Sequence, residues 1–252
     1  MKAPYYDVAL IVAAVALLAL GVPSFATKTD DSIESIAKNS YMFKTYLQGD
    51  DIKIQSKDGA VTLTGTVSEE SHIQMAEDTL TYEPGVKSVV NKLEIKGTYP
   101  TKKSDAWLSA KVKTTLLFHK SVSAMTEVST KDGIVTLKGD ATSQAQKDLT
   151  TVYAKDIEGV KNVNNEMTIA KTLKKSHETM VGKIDDASIS ALVKMTLLYH
   201  YSTSAINTTV ATNSGVVTLT GKVKNKADKD LTTKVAKDLW GVKSVKNRMT
   251  IE

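Results

Sequence analysis

The chain has 252 residues, 41% hydrophobic and 24% charged, which excludes a mainly disordered chain and a polytopic membrane protein. It contains no cysteine, so structural disulfides, thiolate metal sites, a thiol nucleophile and a lipid-bearing N-terminal cysteine are excluded. The formal net charge is +5, yet only one basic residue, Arg248, is an arginine, and base readout favours arginine, so sequence-specific nucleic-acid binding loses weight.

Lys2 precedes an uncharged apolar run from Val8 to Val22, fifteen residues long. That is short of the ~20 that span a bilayer as a helix. Pro23 ends the run, and Ser24-Phe25-Ala26 places small residues at the third and first positions before a cut. Residues 1–26 therefore read as a secretory signal peptide, cleaved after Ala26. An uncleaved membrane anchor is the alternative. Either way the body lies outside the cytoplasm, and export without cysteines suits the periplasm.

The remainder is one unit written three times. Gly59-Ala60-Val61-Thr62-Leu63-Thr64-Gly65 aligns with the segments Gly133 to Gly139 and Gly215 to Gly221. Twenty residues after each last glycine stands another, Gly85, Gly159 or Gly241, opening GVKSVVNKLEI, GVKNVNNEMTI or GVKSVKNRMTI. Upstream, Asp30, Asp105 and Asp186 each precede apolar residues at three- and four-residue steps. This predicts a helix capped by the aspartate, with one buried stripe. A short strand, a turn at Asp58-Gly59, Asp132-Gly133 or Ser214-Gly215, and an alternating strand follow. A second helix ends near Gly85, Gly159 or Gly241, expected at the C′ position, and a last strand closes the unit. The nine recurring glycines read as structural. Neither a G-x-G-x-x-G nor a P-loop pattern is present.

The predicted fold class is thus α+β: three tandem αββαβ domains, each with two helices on one face of a three-stranded mixed sheet. The units cover 30–97, 102–171 and 183–252. The join between the first two is stiffened by Pro100, and residues 172–182 form a freer linker.

His72, His119, His177 and His200 are the only histidines. His119 and His200 end matching LLFH and LLYH helices, where a cationic imidazole suits the negative end of the helix dipole. One histidine per unit cannot form a metal site. A hydrolase triad would need Ser, His and an acid converging from different repeats, and no G-x-S-x-G is present. No catalytic, metal or cofactor-binding residue is assigned, and an enzyme is not expected.

Charge is polarised along the chain. Residues 30–97 carry 7 Lys against 12 acids, 102–171 carry 11 against 8, and 183–252 carry 11 basic residues against 6 acids. The third unit concentrates Lys222, Lys224, Lys226 and Lys229 where its second strand enters its second helix. Lys234, Lys237, Trp240 and Lys243 extend the cluster. Lysines attract anionic head groups at ~1 kcal/mol each, and tryptophan favours the membrane interface. Lys222, Lys224, Lys226, Lys229, Lys237, Trp240 and Lys243 are therefore the candidate phospholipid-binding residues. The alternative is a solvated lysine-rich helix face whose tryptophan packs against the first helix. Nucleic acid, the rival partner for a basic surface, is disfavoured by export and by the lack of interleaved aromatics.

The G-x-V-x-L-x-G strand followed by G-V-x-x-V-x-N, present at Gly59 to Gly65 with Gly85 to Asn91 and twice more, resembles the BON domain. The exported, cysteine-free form is similar to osmotically inducible periplasmic (OsmY-like) proteins, although those usually carry two such domains. The resemblance implies non-enzymatic binding to phospholipid or envelope surfaces and protection of the envelope under osmotic stress. A periplasmic chaperone or protein-interaction adaptor, with other envelope proteins as partners, is the second expectation.

Overall fold

The computed structural model describes residues 28–97, 103–122, 125–170, 184–203 and 208–252. The signal segment and the 172–182 linker lie outside them. In the first unit, Ser40 splits the predicted helix into α1 (Lys28–Asn39) and α2 (Tyr41–Thr45). Its hydroxyl donates to Ala37 O and accepts the Phe43 N–H, so it closes one helix and caps the next. Strands β1 (Asp51–Lys57) and β2 (Ala60–Val67) form an antiparallel hairpin. Helix α3 (Glu70–Thr81) then returns the chain to β3 (Ser88–Ile95), which lies parallel to β2. Alternation along β2 buries Val61, Leu63 and Val67 under the helices.

The second unit repeats this with α4 (Asp105–Phe118), β4 (Glu127–Lys131), β5 (Ile134–Lys138), β6 (Asp140–Ala141), α5 (Gln144–Lys155), β7 (Asn162–Asn165) and β8 (Thr168–Ile169). The third has α6 (Asp186–Tyr199), a short 3-10 turn at Tyr201–Thr203, β9 (Thr208–Asn213), β10 (Val216–Val223), α7 (Lys226–Lys237), β11 (Ser244–Asn247) and β12 (Thr250–Ile251). Both keep the antiparallel hairpin and the parallel return strand, so each sheet is mixed.

The asparagine of the G-V-x-x-V-x-N motif fastens the last strand to the second helix. The Asn247 amide donates to Lys229 O at 3.0 Å and to Thr233 Oγ1 at 2.9 Å, and its Oδ1 accepts the Met249 N–H at 3.0 Å. Asn165 makes the same three bonds in the second unit. At both positions the strand breaks in two, as β7/β8 and β11/β12, whereas β3 runs unbroken past Asn91.

Two local expectations are corrected. The repeated aspartate does not cap the first helix. Ser104 and Asp185 hold the N-cap positions of α4 and α6. Asp186, one residue inside, accepts the Ser214 N–H at 2.6 Å and the Gly215 N–H at 2.8 Å, so it clamps the tip of the hairpin. Asp30 and Asp105 hold their own hairpin tips in the same way. The clamp has a clear target. Ser214 and Gly215 both adopt positive φ, 52° and 79°, which turns two adjacent N–H groups outward. The late glycines are not C′ residues either. Gly241 lies three residues past the C-cap Asp238, at the third position of a turn in which Leu239 O accepts the Val242 N–H.

The three tandem units also pack on one another, because one hydrophobic cluster includes Ile33 and Leu63, Leu116 and Leu137, and Ile189 and Leu219, from all three. Helix α6 is its axis. Ten of its fourteen residues are buried, on every side of the helix, as a helix packed all round must be. α3 of the first unit and α4 of the second both pack on it.

Candidate functional site

The predicted basic edge is built by the exit of β10 into α7. Asn225 caps α7 by accepting the Asp228 N–H at 2.8 Å, which sets the direction of the helix and of Lys226 at its first position. Lys222, Lys224, Lys226 and Lys237 are exposed. Lys222 lies 4.0 Å from Glu252, an exposed pair of little energetic weight. The other three predicted residues are occupied in other ways. Lys229 Nζ donates to Met249 O at 2.6 Å, and Lys147 makes the matching bond to Met167 O in the second unit. Lys243 Nζ donates to Ser214 O at 2.9 Å, as Lys161 does to Asp132 O. Both lysines thus repeat a main-chain contact of the unit. Trp240 is half-buried against the shared core, and its main-chain N–H donates to Phe118 O of the second unit.

A second constellation lies where the second and third units meet, and the sequence reading missed it. His119 and His200, each 1% exposed, point Nε2 at Nε2 across 3.2 Å. His119 Nδ1 faces Asp238 Oδ2 at 3.2 Å, and His200 Nδ1 faces Asp156 Oδ2 at 2.9 Å. Each histidine takes its carboxylate from the other unit. The two short antiparallel bridges there, His119 with Leu239 and Ile157 with His200, follow the same exchange. The two imidazoles thus meet at one junction rather than standing apart at two helix ends, and for His119 the cationic expectation is corrected. The rings are buried against one another, and burial pushes His119 below the ordinary histidine value, although the bond to Asp238 opposes it. The available signal was the matching KDIEG and KDLWG segments, which stand where the first unit has TYEPG, just as Lys44 stands where the others have histidine.

Ser, His and Asp from different repeats do converge here, but not as a triad. Ser121 and Ser202 donate to the carboxylates of Asp238 and Asp156, and each Nε2 is turned to the other ring. At this junction no serine hydroxyl bonds an imidazole nitrogen, which nucleophile activation requires. Among the described residues, no group of three His, Cys, Asp or Glu could hold a metal ion. His72 pairs with Asp50 at 2.5 Å within the first unit, and His177 lies outside the described residues.

A groove of about 360 Å³ opens where the three units meet, lined by Glu70, Ile73, Trp107, Lys111 and Tyr199 among others. Lys111 Nζ sits 4.6 Å from the Trp107 ring centre and 4.7 Å from that of Tyr199. Trp107 Nε1 donates to Glu70 Oε2 at 2.9 Å.

The repeat pattern and the mixed αββαβ sheets are those of a known module. The BON domain model matches residues 29–97, 104–171 and 185–252. The chain belongs to the BON-domain family. It is 31% identical over 197 residues to osmotically-inducible protein Y of Escherichia coli (strain K12), covering 78% of this chain and 95% of that protein. An uncharacterized protein in the gshII 5′ region of Anaplasma centrale is 31% identical over 140 residues, covering 53% of this chain and 91% of its own. Two solved structures of CdsD, a structural protein of the type III secretion system of Chlamydia trachomatis, align over 88% of this chain at 14% and 15% identity. They cover 91% and 96% of those chains with TM-scores of 0.24 and 0.23, values that carry no argument about this BON protein. Among its described residues, no helix is long and apolar enough to cross a membrane.

Proposed function

We propose that this BON protein is exported to the periplasm, where it binds anionic phospholipid or envelope surfaces and supports the envelope under osmotic stress without catalysing a reaction. The observation that carries this reading is that Lys222, Lys224, Lys226 and Lys237 of the third unit are all exposed. Such lysines are worth ~1 kcal/mol each at a charged leaflet and are screened by salt. The similarity to osmotically-inducible protein Y supports the stress role. The apolar run before Pro23 supports export.

Binding is electrostatic on this reading, with Trp240 holding the third unit to the second. Co-sedimentation with phosphatidylglycerol vesicles tests it. The expected result is binding that falls with salt and is lost in the quadruple Lys222→Glu, Lys224→Glu, Lys226→Glu, Lys237→Glu variant. Binding that ignores phosphatidylglycerol content, or survives the four reversals, overturns it.

A protein-interaction adaptor is the second reading, and the groove lined by Trp107, Tyr199 and Lys111 favours it. Aggregation suppression without lipid, abolished by Lys111→Glu, supports that alternative.

A further inference from the structure

Asp238, His119, His200 and Asp156 form a chain of four titratable groups separated by three gaps of 3.2, 3.2 and 2.9 Å. Each gap is a hydrogen bond only when one proton sits in it. Two neutral imidazoles bring two protons. With both protons on Nδ1, two lone pairs face each other at the central 3.2 Å gap. With one moved to Nε2, that ring presents a lone pair to an ionised carboxylate instead. Either arrangement leaves a buried polar pair in conflict, with a group stripped of water and given no partner. A third proton removes both conflicts.

We propose that this junction binds one proton more than two neutral histidines carry, and that the shared proton clamps the second unit to the third. Two carboxylates and one imidazolium then sum to a charge of −1. Tyr153 decides where the extra proton sits. Its hydroxyl donates to Asp238 Oδ2 at 2.8 Å, and its ring stacks on His119 at 3.8 Å between centres. The matching position in the third unit is Val235, so the two halves of the chain are not equivalent. Asp238 and Asp156 each accept three bonds, but Asp238 divides its charge among three residues, Tyr153, Ser121 and His119, whereas two of the three bonds to Asp156 come from Ser202, and its gap to His200 is the shorter, 2.9 Å against 3.2 Å. The extra proton is therefore on His200, whose Nε2–H donates to His119.

The electrostatics agree. Burial holds His119 below the ordinary histidine value, as a neutral acceptor requires. Burial would raise both carboxyls, but the bonds from His200 and Ser202 to Asp156, and from His119, Ser121 and Tyr153 to Asp238, outweigh it and keep both ionised. The titratable side chains bonded to or stacked on the two rings are Asp238, Asp156 and Tyr153, and Lys120 beside His119 sends its Nζ to Val242 O at 3.4 Å. Lys155 and Lys237, in the last turns of α5 and α7, are exposed.

A second added proton would set two N–H donors against each other at the central gap. The clamp then opens, and with it the main-chain bonds from Lys120 to Asp238 and from Trp240 to Phe118. The joint is tight at one proton count and loosens in acid.

Nitrogen-15 NMR of the histidine rings in the full chain tests this directly. At pH 7 one ring, assigned to His200, should show both nitrogens protonated, and His119 should be neutral with its proton on Nδ1. Two neutral rings, or two cations, overturn the proposal. Asp156→Asn should abolish the His200 imidazolium signature while leaving His72 unchanged. Tyr153→Phe, which keeps the ring and the packing, should move proton occupancy from His200 towards His119. A His119 spectrum unaltered by Tyr153→Phe overturns the placement even if Asp156→Asn fails to fold.

Discussion

The Asp185 carboxylate accepts the main-chain N–H of Tyr41 at 2.7 Å, across 144 residues of sequence. The same carboxylate caps α6 through the Ser188 N–H at 2.7 Å, and Ser188 Oγ accepts the Met42 N–H at 3.0 Å. One N-cap thus serves two helices from two units. Asp185→Ala should cost about 2–3 kcal/mol, a lost cap of ~1 kcal/mol plus an N–H left without its charged acceptor. Urea unfolding of the variant measures this, and a loss below that of an ordinary cap would show that the bond to Tyr41 contributes nothing.

Burial near Asp185 also makes stability depend on pH. Glu83 is 6% exposed, with Oε1 lacking a hydrogen-bond partner, and burial together with the charge of Asp185 pushes its carboxyl up to about 7. In the unfolded chain it ionises near its ordinary value of 4.5. Its contribution is therefore complete below that value and is lost as the pH rises through about 7. Asp78, raised mainly by burial from 3.8 to about 6, acts in the same sense. Melting temperature should fall between pH 5 and 8, and Glu83→Gln should remove a large part of that slope, on the order of 2 kcal/mol. An unchanged slope in Glu83→Gln would assign the effect elsewhere.

Asp186→Ala should loosen the hairpin tip and spare the start of α6. Two hydrogen bonds to a charged acceptor are lost, about 1–3 kcal/mol. Amide exchange should speed up at Ser214 and Gly215 while Ser188, capped by Asp185, keeps its protection. Faster exchange at Ser188 instead would restore the aspartate to the role of helix cap.

Thr79, on α3, is fully buried, and its hydroxyl has no hydrogen-bond partner. Valine has the same shape without the stranded oxygen. Thr79→Val is expected to stabilise the chain by about 1 kcal/mol, read from denaturant midpoints. Destabilisation would mean that the hydroxyl finds a partner in solution.

The fold of each unit was legible because its signals are local. The paired turn residues Asp58-Gly59, the alternation Val61-Leu63 and the recurring Asn91, Asn165 and Asn247 all act within one copy. The role of the leading aspartate was misread because a cap and a hairpin clamp ask for the same residue one position apart, and Ser104 or Asp185 stood ready at the true cap. The arrangement of the units was not legible. Nothing in the order of Ser188, Ser190 and Thr196 along α6 shows that these polar residues are buried, because what covers them comes from distant copies. Likewise, the lysines of the basic edge look alike in sequence. Only their bonds to the carbonyls of Met249 and Ser214 set Lys229, and the still exposed Lys243, apart from the other lysines.

Hydrogen–deuterium exchange of the chain with and without phosphatidylglycerol vesicles tests the membrane-facing edge most directly. The account predicts added protection over 222–230 and around Lys237, with the first unit's hairpin at 51–67 unchanged. Protection confined to that acidic hairpin, or to the groove around Trp107 and Tyr199, would contradict it.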